Sequence, residues 1–387
     1  MRRFGFPVVI LFGLVLLMAS LWPRQAEAVP VFARQVGAPC TQCHVQFPKL
    51  NDFGMAFKQN GYRLKGDEGK FIWQKTNFPL ATMISLQYEN RDETDATGAS
   101  TQTGAVTRGA VEFFSGGSVG PTVSYFLDYA FEQTVTEAVD ATGAVTGDTV
   151  TVNEAIPGGT FLIFNDLMPD NLLNLRVGVM SNEFFHLSAP RRTTMEDYIS
   201  PVSVDNVGLE VNGIHSSGFR YAVGFGNDEV ETADNHLRAF YGWGTYGVAG
   251  QTLGVRYSSS PAGPTEAAEE THSQVDANLD LHYGPANLIL GYFTQDNVGG
   301  VADDTQNNLL AELVYAVGPK VLLTARYETQ ETETGGVENS GTNKEAVLNV
   351  SYYILPNMSL LAEYANADRA EQNTEANIFM AGVHVDF

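Results

Sequence analysis

From residue 80 to its end the sequence alternates, with apolar side chains at every second position and polar or small ones between them, in stretches of about ten residues. Val321, Leu323, Ala325 and Tyr327 interleave with Leu322, Thr324, Arg326 and Glu328. Val275, Ala277, Leu279, Leu281 and Tyr283 interleave with Gln274, Asp276, Asn278, Asp280 and His282, and Tyr221, Val223 and Phe225 with Arg220, Ala222 and Gly224. A period of two sends successive side chains to opposite faces of an extended chain, so these stretches are strands. About sixteen are expected: 80–89, 105–115, 121–133, 152–164, 172–181, 206–215, 218–227, 235–245, 250–258, 273–283, 286–295, 306–317, 320–329, 344–354, 358–366 and 376–387.

The connections and the aromatic residues decide what the strands build. Every second connection is tight, as at His215-Ser216-Ser217-Gly218, Gly284-Pro285, Gly318-Pro319 and Pro356-Asn357. The others are longer, polar and acidic, as at 89–104, 328–343 and 368–375. The apolar faces end repeatedly in Tyr88, Tyr257, Tyr292, Tyr315, Tyr327, Tyr352 or Tyr364, and the last strand carries Phe379, Ala381, Val383 and Val385 on one side before Phe387. A mean hydropathy of −0.11 suits a barrel wall and a soluble β-protein equally, because both alternate. Short-long alternation with aromatic residues bounding an apolar band points to an all-β fold: an outer-membrane antiparallel β-barrel of about 16 strands. The longest interruption, around His186 to Arg192, falls between the fifth and sixth strands on the outer side. It is expected to fold into the lumen, where Arg191 and Arg192 would meet acidic partners, the alternative being a plain surface loop.

Three regions follow. Residues 1–28 read as a secretory signal peptide, with Arg2 and Arg3, an apolar run from Val8 to Leu21 too short to span a bilayer, and cleavage expected after Ala28. Residues 29–79 form a separate segment, and 80–387 the barrel. The segment is basic, net +4 over residues 29–78 with seven basic and three acidic side chains, whereas the whole chain stands at −23. That balance excludes nucleic acid as a partner and favours attraction between segment and barrel.

Cys40 and Cys43 are the only cysteines, and His44 follows at once. Cys-Thr-Gln-Cys-His is the attachment sequence of one covalently bound haem c, each thiol forming a thioether and the imidazole becoming the proximal iron ligand. One short helical turn would present all three groups, in a segment expected to be mainly helical. For the distal ligand, Met55 lies nearest in sequence; His282 and His384 face inward by parity, His186 lies on the outer connection, and an open or water-bound site is the other alternative.

Phe32-Ala33-Arg34-Gln35, the Cys40–His44 motif, Phe47-Pro48-Lys49-Leu50-Asn51-Asp52-Phe53-Gly54, Phe57-Lys58 and Asn60-Gly61-Tyr62 together resemble the haem segment of fused outer-membrane monohaem cytochrome–porins, a family associated with ferrous iron oxidation. The resemblance covers about thirty residues closely and the rest by architecture. It implies a haem segment plugging the barrel and an electron conduit from an extracellular donor, Fe(II) first among them, to a periplasmic cytochrome. The partners would then be that donor, the cytochrome and outer-membrane lipid, with Fe(II)-oxidising oxidoreductase activity left open. Wall carboxylates Glu112, Glu210, Asp276, Asp280, Glu312 and Glu363 would receive the basic segment, or pair with Arg176, Arg220, Arg238, Arg256 and Arg326 to line a solvated pore. Acidic stretches at 228–231, 266–270 and 303–304 would concentrate a divalent cation, or serve as solvated surface. Electron export to extracellular Fe(III) or a mineral, and a transport porin with a structural or regulatory haem, are the competing functions.

Overall fold

The computed structural model describes residues 32, 42–46, 49–63, 71, 79–139, 145–152, 156–157, 159–181, 193–202, 205–227, 229–230, 237–265, 268–338, 341–355 and 357–386. The expected signal peptide with its Ala28 cleavage site, Cys40, His186, Arg191, Arg192 and Phe387 lie outside the described residues.

Sixteen long strands form the wall of a closed antiparallel barrel. In chain order they are β1 (Leu80–Thr94), β2 (Ser100–Ser118), β3 (Val123–Val139), β4 (Thr160–Met168), β5 (Leu173–Ser181), β6 (Asp205–Ile214), β7 (Phe219–Gly226), β8 (Ala239–Val248), β9 (Gln251–Gly263), β10 (Glu270–Tyr283), β11 (Ala286–Asp296), β12 (Thr305–Val317), β13 (Val321–Thr334), β14 (Asn343–Leu355), β15 (Met358–Arg369) and β16 (Thr374–Asp386). β16 closes on β1 in register from Met83 opposite Asp386 to Thr94 opposite Glu375. Closure matters because a strand edge in lipid would leave backbone groups without partners.

The barrel is inside out relative to a soluble protein. Arg256 and Glu312 are each 1% exposed, whereas Leu348 is 60% and Leu309 57% exposed. Polar side chains therefore face a covered lumen, and the apolar set faces outward as a lipid-facing belt. Tyr283, Tyr315 and Tyr352 stand toward the end of the barrel with tight turns. Tyr88, Tyr257, Tyr292, Tyr327 and Tyr364 stand toward the opposite end, where phenol hydroxyls suit the interface. A tight turn such as Ala249-Gly250 puts both residues at positive φ (52° and 76°), the geometry that matches strand twist.

Several boundaries differ from the sequence expectation, two of them with a clear local cause. β1 and β2 run past the apolar band to Thr94 and Ser100, so the expected long connection shrinks to residues 95–99. Its Thr- and Ser-rich flanks keep strand propensity after the apolar alternation stops, and the Thr94 and Ser100 hydroxyls bond at 3.0 Å. The strand expected over 152–164 is divided: Val145–Val152 prolongs β3 as a ribbon, Ile156–Pro157 is a short bridge, and the wall strand starts at Thr160. Pro157, paired with Tyr129, has no N–H to donate to the ladder, in keeping with a bridge only two residues long.

Before the barrel, His44–Gln46 and Lys49–Leu50 pair as a small hairpin, followed by helix α1 (Asp52–Gln59). Cys43 sits in a turn and His44 opens a strand, so the helical turn expected at the motif does not extend through His44. Pro48 opposes helix there because it removes an N–H and restricts the residue before it. Helix α1 starts where Asn51 Oδ1 accepts the Gly54 N–H at 2.9 Å, with Asp52 in the first turn and Lys58 in the last to complement its dipole. It ends in a Schellman turn: Tyr62 N–H donates to Phe57 O at 2.9 Å across Gly61, whose φ is +67°.

Candidate functional site

Two chain segments enter the lumen. The first is the stretch that carries the cysteine–histidine motif. Lys49, 2% exposed, donates from Nζ to Glu312 Oε1 on β12 at 3.0 Å. Arg220 on β7 reaches Asp52 at 3.3 Å, and Arg63 donates to Asp166 on β4 at 2.8 Å. Around these polar anchors runs an aromatic column. Phe32 stacks on Tyr62 (centroids 4.8 Å apart), Tyr62 on Phe126 of β3 (5.0 Å), and Phe126 meets Phe161 of β4 (5.5 Å). The Arg176 guanidinium covers the far ring at 4.6 Å. Gly61 must be glycine twice over, because a Cβ would also stand 2.2 Å from Asn165 Oδ1 on the wall. Most of these wall residues lie near the tight-turn ends of β3, β4 and β7.

The second is residues 193–202, from the β5–β6 connection, here called the strap. Its backbone is laced to charged wall side chains. Glu363 accepts the Met195 N–H at 2.7 Å and the Glu196 N–H at 2.6 Å, and Glu328 accepts the Ser200 N–H at 2.9 Å. Arg326 donates to Thr194 Oγ1 (2.7 Å), Glu196 O (3.1 Å) and Asp197 O (2.7 Å), while Arg256 and Gln274 both donate to Pro201 O at 2.9 Å. The strap also covers apolar side chains that point inward: Met195 packs on Val347, Ala365, Ile378 and Met380, and Val202 with Tyr198 on Ile289, Phe293 and Leu310. Residues 193–202 of the β5–β6 connection thus lie in the lumen, whereas the stretch from His186 to Arg192, with the expected acidic partners of Arg191 and Arg192, lies outside the described residues.

Several of the described charged side chains pair with one another. Arg176 holds Glu210 at 3.2 Å, Arg256 pairs with Asp276, Arg238 with Glu269 at 2.8 Å, and Arg326 bridges Glu328 (2.8 Å) and Glu345 (2.9 Å). Both uses of the wall carboxylates occur together: Glu210 and Asp276 hold wall arginines, and Glu312 receives the basic segment. On the strap, burial pushes the Glu196 carboxyl up to about 7, with Glu345 adding repulsion. Burial and the Glu312 carboxylate hold the Tyr198 phenol well above its ordinary value.

The sequence-derived site residues fall as follows. Cys43 and His44 are half-buried at the hairpin corner, with His44 opposite Leu50. The Cys43 carbonyl accepts the Asn51 N–H at 2.9 Å, and α1 abuts it so closely that a Cβ on Gly54 would lie 2.1 Å from that oxygen. A thiol and an imidazole on adjacent residues, fixed by backbone contacts to the helix, are a donor set that fits a c-type haem. Met55 lies on α1 and is half-buried. His282 stands 3.1 Å from Asp280, and His384 is 3.7 Å from Asp386, both on the inner wall. Among the described residues no three His, Cys, Asp or Glu side chains converge as a metal site. At the outer acidic stretch 303–304, Asp304 accepts the Gly335 N–H at 2.8 Å, a turn contact.

These features define the class: a porin-fold β-barrel of the outer-membrane type, with its lumen entered by its own chain. The outer membrane channel DcaP of Acinetobacter baumannii superposes with a TM-score of 0.59 at 14% identity, covering 80% of this chain and 96% of that one. OmpF of Salmonella typhi, solved with daunomycin, gives 0.55 at 12% identity over 80% and 97%. An anion-selective porin from Comamonas acidovorans gives 0.53 at 10% over 80% and 99%. No protein-family model and no curated protein matches the chain.

Proposed function

We propose that this chain is an outer-membrane electron conduit, carrying one covalent haem c on Cys40, Cys43 and His44 within the barrel. Electrons would enter from an extracellular donor, Fe(II) foremost, and leave to a periplasmic cytochrome. The observation that carries the reading is the Lys49–Glu312 pair, which ties the hairpin holding Cys43 and His44 to the inner wall. A hydrocarbon layer about 30 Å thick insulates the two aqueous phases, so a redox group is useful as a relay only if held inside it. When bound, the haem supplies a one-electron couple. The rest is the work of the protein: Cys40 and Cys43 anchor, His44 ligates, Met55 is the candidate distal ligand, and wall and strap limit water around the site.

Haem-peroxidase staining on a denaturing gel should give one band, lost in Cys40→Ser/Cys43→Ser, and a redox titration should give a single one-electron wave. A stained band in the double variant would overturn the assignment. The porin neighbours favour a second reading, a transport channel with a structural haem. Planar-bilayer recording separates the two, because steady porin-like current through the intact protein supports transport. A midpoint well below that of the Fe(III)/Fe(II) couple at working pH would favour electron export instead.

A further inference from the structure

The two lumen segments divide the wall between them. The strap bonds to strands from β9 round to β15, and Glu196 lies 3.9 Å from Arg91 of β1. The motif-bearing segment is anchored to β3, β4 and β7. Its ion pair to β12 carries it onto the strap's side, and there the two segments share one carboxylate. Glu312 Oε1 accepts Lys49 Nζ at 3.0 Å, and Oε2 accepts the Tyr198 hydroxyl of the strap at 2.8 Å. Both side chains of the ion pair are no more than 2% exposed. The Tyr198 ring in turn lies under the Arg326 guanidinium at 4.5 Å, and Arg326 holds the strap backbone.

We infer that Glu312 is the positioning residue of the lumen, the latch that joins the strap to the motif-bearing segment. It fixes where the Cys43–His44 corner sits and makes two partial fillings into one closure. The inference rests on the reading of the segment as a haem carrier only for its redox consequence; the closure itself needs no cofactor. The geometry behind it is specific. Each oxygen of a buried carboxylate serves a different chain segment, so the charge is satisfied only when both are seated. Lys49 lies in the hairpin itself, with Gln46 as its pairing partner and Leu50 opposite His44 as its neighbour. A shift of Lys49 therefore moves the histidine with it. Glu210, another buried lumen carboxylate, does not share this arrangement: it holds Arg176, Asn212 and Tyr241, which all belong to the wall.

The test uses the full-length protein in planar bilayers, with haem content and midpoint potential measured on the same preparations. Glu312→Gln should raise the open fraction about a hundredfold over the parent, because it leaves Lys49 buried without its countercharge. Lys49→Met, which leaves the barrel wall untouched, should leak comparably, and the double variant should leak no more than either single one, since all three break the same contact. Tyr198→Phe should leak less, and Glu210→Gln, an equally buried wall carboxylate, should stay closed. The potential supplies a sign that a merely structural role would not: Glu312→Gln strands a positive charge and should raise the midpoint, while Lys49→Met strands a negative one and should lower it. A Glu312→Gln protein that folds and remains as closed as Glu210→Gln would overturn the latch, as would additive leaks in the double variant. Leaks as described in a protein that never takes up haem would keep the latch and sink the conduit.

Discussion

The strap and the motif-bearing segment fill the same lumen by different physics. The strap is held through its backbone, with wall carboxylates taking its N–H groups and wall arginines taking its carbonyls. The segment is held through its side chains, by an aromatic column at the tight-turn end and by ion pairs at Lys49, Asp52 and Arg63. Backbone bonds to buried charges leave a chain one way to sit, whereas stacked rings and single ion pairs tolerate small displacements. The strap is thus the fixed part of the filling and the segment the adjustable part.

The severest challenge to that contrast is Arg326→Ala. It frees the strap carbonyls and strands Glu328 in the lumen, while Glu345 keeps Arg369 at 2.9 Å. Loss of one buried partner costs about 3–5 kcal/mol, so thermal melting in detergent should fall markedly and the strap should become accessible to protease. Retained protection of residues 193–202 would mean the backbone bonds do not hold it. On the other side, Phe161→Ala cuts the aromatic column beneath Arg176 and should cost about 3–5 kcal/mol at the site, of which the barrel melt reports only a fraction. Its proteolysis signature should appear near residues 49–63 and leave the strap intact. Cleavage in both places would dissolve the distinction between the two fillings.

Met195→Ala sharpens the contrast from the apolar side. It uncovers Ile378 and Met380 and should cost about 2–3 kcal/mol while leaving the Glu363 bonds to act through the backbone. A smaller effect belongs to pH. The carboxyl of Glu196 titrates at about 7 on the seated strap, against about 4.5 when released. The neutral form is therefore favoured in place, its contribution is whole below about 4.5, and it is lost as pH rises through 7. Protease protection of the strap should weaken from pH 5 to pH 8, and Glu196→Gln should abolish the slope. The smallest perturbation is an epitope between Thr332 and Gly335. It should be labelled on intact cells and one at Gly284 should not, since the reverse would exchange the inner and outer ends of both fillings.

Much of this was legible in the residues. Each of the sixteen wall strands overlaps an alternating stretch, β4 only over its first residues, because one face meeting lipid and the other water imposes a period of two wherever the chain crosses. The strap's landing places were not read, although a trace of them exists. Ile378-Phe379-Met380-Ala381 and Leu288-Ile289-Leu290 break the alternation by placing apolar residues on both faces. An apolar residue pointing into a lumen signals that something covers it. Which carboxylate receives Lys49 could not be read at all. Six candidates share the same parity, and only the three-dimensional position of the hairpin selects Glu312. The ends of β1 and β2 are not legible because polar ribbons outside the apolar band keep strand geometry without a hydrophobic pattern.

Closure of β16 onto β1 turns the order of the chain into an order of events. The segment that precedes β1 ends up encircled by strands that come after it, with bulky rings interlocked against the wall and Phe71 resting at the turn after β2. Seating it in a barrel already closed would require those rings to be threaded past the side chains of the wall. Packing the segment while the sheet is still open, with the seam between Met83 and Asp386 formed last, avoids that threading. A chain stalled before that seam would be an open cradle around the segment it later encloses.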